Sequence, residues 1–148
     1  MAPEALRSLH VLLVEDDAGD VAMVEEVFAS NGLAGMLHHA DDGLAALRFL
    51  RAEDEHAGAP TPDLILLDLN MPRMDGRELL SILKDEASEW KTIPVVVFST
   101  SAALEDVVAS YANHANAYVT KSLDFDGFQR SITEIHRFFG EIASVPTS

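Results

Sequence analysis

Cysteine is absent from the chain, which excludes disulfides and thiolate metal sites together. Basic residues are scarce. Ten Lys and Arg stand against twenty-five Asp and Glu, giving a formal net charge of −15. Phosphate backbones are gripped by clustered Lys and Arg, and no such cluster occurs, so no nucleic-acid partner is expected. No apolar run approaches the ~20 residues of a membrane span, so no membrane association is expected either. The opening MAPEALRSLH has neither the basic start nor the apolar core of a signal peptide, and a cytoplasmic location is expected. Internal repeats and low-complexity tracts are missing too. Nothing divides the 148 residues, so they should form one domain with a real core. The surplus of acid either keeps the protein soluble or surrounds a cation, and charge alone does not choose.

What the chain does contain is a regular alternation. Val11 to Val14 form a short, wholly apolar run, too short for a helix and typical of a strand buried on both faces. Val21, Val24, Val27 and Phe28 then recur at helical spacing, and Asn31-Gly32 ends that helix. Met36 to Ala40 (MLHHA) is more polar, as an edge strand would be. Leu44, Leu47 and Leu50 mark a second helix, and residues 51–63 are expected to be loop. LILL, VVVF and AYV (Leu64–Leu67, Val95–Phe98 and Ala117–Val119) supply three more strands. They alternate with helical stripes at Leu79, Ile82 and Leu83, at Leu104, Val107, Val108 and Tyr111, and at Phe125, Phe128, Ile132, Ile135 and Phe139. Five β-α units with two-sided strands predict an α/β fold, a parallel sheet wrapped by helices on both faces.

Ligands of such sheets bind outside the carboxyl ends of the strands. The first strand ends in Glu15-Asp16-Asp17, the third in Asp68, the fourth in Ser99-Thr100-Ser101 and the fifth in Thr120-Lys121-Ser122. With strand order 2-1-3-4-5, Asp68 is central, between the acids on one side and the hydroxyl and Lys121 on the other. Neighbouring strands lie roughly 4.8 Å apart, so Asp16 and Asp68 should converge. Two bare carboxylates about 4 Å apart repel by roughly 4 kcal/mol at an effective dielectric of 20. Protonation or a divalent cation relieves this, and an all-oxygen set with open positions suits Mg²⁺. Acids, cation, lysine and hydroxyl together describe phosphoryl transfer, with Asp68 as the nucleophile.

The stretches VLLVEDD, LILLDLNMPRMDG, PVVVFSTS and YVTKS, in this order, resemble the receiver domains of bacterial two-component response regulators, from about Leu9 to Phe139. The resemblance implies the doubly wound, flavodoxin-like (βα)5 receiver fold over residues 1–148, with a core of about 9–139 and an extension of 140–148. It implies that Asp68 accepts a phosphoryl group from a sensor histidine kinase. It implies Mg²⁺ (or Mn²⁺) held by Asp16, Asp68 and the Asn70 backbone carbonyl, with Glu15 acting through water. Ser99 becomes the switch hydroxyl, Tyr118 the switch aromatic and Lys121 the phosphoryl-binding lysine. Phosphorylation would switch the surface of the fourth helix, fifth strand and fifth helix, with no room for an output domain. Ser122 departs from the family's usual proline after the lysine and leaves the form of that loop open. The KS after YVT, the VVVFSTS strand and the short tail resemble a narrower group that accompanies bacterial and cyanobacterial phytochromes, so a bacteriophytochrome is an expected kinase.

Two other classes fit part of this pattern. Haloacid-dehalogenase-like phosphatases also place a nucleophilic aspartate after a parallel strand, but their second acid, two residues on, is here Asn70. An interaction scaffold with a degenerate site conflicts with the intact acids, Ser99 and Lys121. The chain is therefore expected to be a signalling switch and no enzyme of general turnover. The six histidines are expected to be structural or solvated, with His38 and His39 on opposite faces of their strand. Phe138, Ile142 and Val145 should lie outside the terminal helix stripe, which predicts a homodimer through the fourth and fifth helix-strand region and the tail.

Overall fold

The computed structural model describes residues 9–146. Its sheet has five parallel strands: β1 (Val11–Val14), β2 (Leu37–Ala40), β3 (Leu64–Leu67), β4 (Val95–Ser99) and β5 (Ala117–Thr120), in the order β2-β1-β3-β4-β5. Around it run α1 (Ala18–Ser30), α2 (Gly43–Leu50), α3 (Gly76–Leu83), α4 (Leu104–Ala112) and α5 (Phe125–Arg137). β1, β3 and β4 are buried along their whole length, while the edge strands β2 and β5 are half open. The apolar runs and the polar MLHHA thus separate central strands from edges, as the sequence predicts. Among the described residues no helix is long and apolar enough to cross a membrane.

Alternation along the strands builds two cores. Leu13, Leu66, Val96 and Phe98 face Val24 and Phe28 of α1 and Phe128 and Ile132 of α5. Leu12, Val14, Ile65, Leu67 and Val97 face Ala46, Leu47 and Phe49 of α2 and Leu79, Leu80 and Leu83 of α3. Each buried Leu or Phe contributes about 1.5–3 kcal/mol relative to exposure.

Three helical stripes differ from expectation. In α2 the inward face is Ala46, Leu47 and Phe49, and Leu44 is exposed. In α5, Phe128, Ile132 and Ile135 are buried, but Phe125 at the first turn is exposed. The α4 stripe points outward: Leu104, Val108 and Tyr111 are all exposed, and Ser110 is the buried residue of that helix. Residues 51–63 carry a 3₁₀ turn at Asp54–His56, and the end of α5 continues as a π-helical turn at Phe138–Ile142. Phe138 and Ile142 are exposed as expected, while Val145 packs against the α1/α5 core. His38 and His39 do diverge. His38 Nε2 lies 3.0 Å from His10 Nδ1, and His39 Nε2 donates to the Glu15 carbonyl at 2.7 Å.

The β3–α3 loop, which follows Asp68, is tied down from α2. Asp42 caps α2 by accepting from the Ala45 N–H at 2.9 Å, and its second oxygen takes both Nε and Nη2 of Arg73. Arg73 itself has a φ of +60°, and the Gly43 N–H donates to the Met74 carbonyl at 2.9 Å. Burial pushes the Asp42 carboxyl up, but the Ala45 hydrogen bond and the Arg73 guanidinium outweigh it and hold it below the usual carboxylate value. Asp42→Ala removes a helix cap and a charged hydrogen bond together, so a loss of about 2–3 kcal/mol in urea unfolding is expected. A depressed carboxylate stabilises above its unfolded value of 3.8 and ceases to as pH falls through the folded value. Wild-type and variant melts should therefore converge only in strong acid. A loss below about 0.5 kcal/mol at neutral pH would refute this anchoring.

Candidate functional site

Backbone hydrogen bonds carry the sheet past its last strand residues and fix the site. The Glu15 N–H donates to the Ala40 carbonyl at 3.0 Å, the Asp68 N–H to Val14 at 3.0 Å and the Lys121 N–H to Ser99 at 2.7 Å. Glu15, Asp68 and Lys121 are thereby held at the carboxyl ends of β1, β3 and β5, and all three are buried. Asp17 caps α1, its Oδ2 accepting from the Asp20 N–H at 2.8 Å, which turns the chain away from the sheet just beyond the acids. These groups line an open recess of about 500 Å³, together with Asp16, Asn70 and Thr100.

Carboxylate oxygens of Glu15, Asp16 and Asp68 all lie within 4.8 Å of one another. Lys121 answers this charge. Its Nζ is 2.5 Å from Glu15 Oε1, 2.7 Å from Asp20 Oδ2 and 3.8 Å from Asp68 Oδ1, and it sits 5.7 Å over the Phe98 ring. Burial works against its charge, but the hydrogen bonds to Asp20 and Glu15 hold its pKa above the usual lysine value. Glu15 is pushed up to about 7, first by burial and then by the charge of Asp68, against the pull of Lys121. Burial also raises Asp68; Lys121 opposes that rise and Asp16 adds to it. Carboxylates that resist ionisation this close together mark a place where a hard cation would relieve the strain.

Of the residues expected at the site, Asp68, Asp16, Glu15, Asn70 and Lys121 come together in the recess. Ser99 and Tyr118 stand behind it. Ser99 shares its strand face with Val97, is fully buried, and accepts from the Ser101 N–H at 3.2 Å. Tyr118 donates its hydroxyl to the Ser101 carbonyl at 2.8 Å, and Ser101 Oγ donates to Asp106 at 2.6 Å. Asp106 in turn pairs with Arg77, which reaches Asn70 Oδ1 at 3.3 Å. A continuous polar chain therefore joins the loop after Asp68 to α4 and β5. Among the described residues there is no cis peptide bond, so Ser122 follows Lys121 in trans.

Asp20 and Thr100 also line the recess; Thr100 is named in the sequence only as part of a strand end, and Asp20 not at all. A signal for Asp20 existed. An acid three residues after an N-cap lies in the first helical turn, and helical side chains tilt toward the N-terminus, here toward the site.

Comparison with known proteins agrees with this geometry. The response regulator receiver domain pattern matches residues 11–133. Response regulator Rcp1 of Synechocystis sp. is 41% identical over 148 residues, 100% of both chains. Among solved structures, the phosphorylated cyanobacterial phytochrome response regulator RcpA superposes with a TM-score of 0.87 at 39% identity, over 94% of this chain and 99% of that one. The Mn²⁺-bound form of Rcp1 superposes at 0.81 with 40% identity, over 93% of this chain and 98% of that one. This chain belongs to the response regulator receiver-domain family.

Proposed function

We propose that Asp68 accepts a phosphoryl group from the phosphohistidine of a sensor kinase, and that the chain relays signal by this modification without turning over a small-molecule substrate. The observation that carries the proposal is the convergence of Glu15, Asp16 and Asp68 oxygens within 4.8 Å, with Lys121 Nζ 3.8 Å from Asp68. In the transfer an Asp68 oxygen attacks phosphorus as the phosphorus–nitrogen bond to the histidine breaks. Mg²⁺, or Mn²⁺ as carried by Rcp1, would be held by Asp16, Asp68 and the Asn70 carbonyl, with Glu15 through water, and would neutralise charge on the transferred group. Lys121 provides the second positive charge for the phosphoryl oxygens. Ser99 and Tyr118 form the switch, and the Ser101–Asp106–Arg77 chain is how movement at the site would reach α4 and β5. Likeness to the phytochrome response regulator RcpA supports a phytochrome-type kinase, such as a bacteriophytochrome, as the donor inside the cell. Incubation with acetyl phosphate should add the mass of one phosphoryl group in the presence of Mg²⁺ and none in excess chelator. Equal incorporation under both conditions would sink the metal-assisted scheme.

We also infer that residues 1–148 act as one receiver unit, core 9–139 with extension 140–148, and that it forms a homodimer. Leu104, Val108 and Tyr111 of α4 are exposed, as are Phe125 of α5 and Phe138 and Ile142 beyond it, more apolar surface than a solvated monomer needs to show. Sedimentation at tens of micromolar should show a dimer for the full chain and a weaker one after truncation following Gly140. Monomers in both, phosphorylated or not, would end the idea.

A further inference from the structure

We propose that Asp20 is a latch on Lys121, holding the lysine off the phosphoryl position until Asp68 is modified; the proposal rests on Asp68 being the acceptor. Lys121 Nζ is 2.7 Å from Asp20 Oδ2 and 2.5 Å from Glu15 Oε1, against 3.8 Å from Asp68 Oδ1. The lysine side chain is 4% exposed and that of Asp20 20%, so this contact across the α1–β5 boundary is shielded from water. An ammonium group has three protons. Glu15 and Asp20 take two of them, and Asp68 sits beyond direct hydrogen-bond range.

A phosphoryl group on Asp68 brings further anionic oxygens into the same recess. The third ammonium proton is free, but Nζ is drawn toward Glu15 and Asp20, and it moves onto a phosphoryl oxygen by loosening its hold on one of them. Asp20 is the partner that can be given up: it is more exposed than Glu15, and its helix is secured independently by the Asp17 cap. Holding Asp20 and meeting a phosphoryl oxygen therefore compete for the same ammonium group. The latch thus opposes both the arrival of the phosphoryl group and its retention.

Asn at this position keeps the size of the side chain and removes the charge. With Mg²⁺ saturating, Asp20→Asn should be phosphorylated by acetyl phosphate three- to tenfold faster than wild type, and its phosphorylated form should persist several-fold longer. Asp20→Glu, which restores the carboxylate, should return both rates toward wild type. In a Lys121→Ala background Asp20→Asn should change neither, since the latch acts through the lysine. A reporter independent of phosphorylation completes the test. The chain has three lysines, Lys84, Lys91 and Lys121, so lysine-selective ¹⁵N labelling resolves each ammonium signal. Asp20→Asn should move the Lys121 signal and leave the other two in place. An unmoved Lys121 signal overturns the latch, and so does a moved signal with unchanged kinetics in a phosphorylated protein. If the signal moves but neither wild type nor variant takes up phosphate, it is the acceptor role of Asp68 that has failed, and the latch falls with it.

Discussion

Gly76→Ala is expected to destabilise the protein by about 3 kcal/mol, lowering the melting temperature by about 10 °C, and to slow phosphorylation sharply. A methyl group at this position would fall on the Asp68 carbonyl oxygen and within 2.8 Å of Leu69 Cα. Both neighbours are main chain, so neither can swing aside as a flexible side chain would. The Gly76 N–H also donates to the Leu69 carbonyl at 2.9 Å, which draws the start of α3 against the end of β3. To fit the methyl, helix and strand must part, and the backbone that aims Asp68 moves with them. Glycine is needed here for close approach; its φ is not positive. Calorimetry together with phosphorylation kinetics checks the point. A variant with wild-type melting and wild-type rate would show that the packing of α3 onto β3 does not hold Asp68.

Asp16→Ala should weaken Mg²⁺ binding at least tenfold, about 1.4 kcal/mol, and slow phosphorylation at subsaturating Mg²⁺ by a similar factor. Asp16 is exposed, whereas Glu15 and Asp68 are buried and pushed by that burial toward their protonated forms. It is the carboxylate most readily available to a cation entering from solvent. Its removal also relieves repulsion on Asp68, which works in the opposite direction but is the smaller effect, since burial leads the causes of the Asp68 shift. Isothermal titration with Mg²⁺ separates the two. Unchanged affinity would place the cation elsewhere.

The sheet was legible because its central strands are two-sided. Val11–Val14, Leu64–Leu67 and Val95–Phe98 can be apolar throughout only if both faces are covered, and MLHHA is polar because β2 closes an edge. The acids and Lys121 were legible because they stand at the strand ends, where this topology gathers them. Short helices were harder to orient. A helix of eight or nine residues offers two plausible stripes, and the choice of Phe49 over Leu44 in α2, or the outward turn of α4, depends on which neighbour lies opposite. Pairings among charges were the least legible. Asp42 finds Arg73 31 residues away, and Lys121 finds Asp20 101 residues away, and no local pattern marks either contact. The sequence places Lys121 across Asp68 from the acids, ready for a phosphoryl oxygen. In the folded chain the shorter contacts to Glu15 and Asp20 take precedence.

The most direct test of the account is to locate the phosphoryl group. After incubation with acetyl phosphate and Mg²⁺, peptide mass spectrometry should find one modified residue, Asp68, and Asp68→Asn should carry none under the same conditions. A phosphoryl group on Asp16, on Ser99 or on any other serine, or undiminished incorporation into Asp68→Asn, would contradict it.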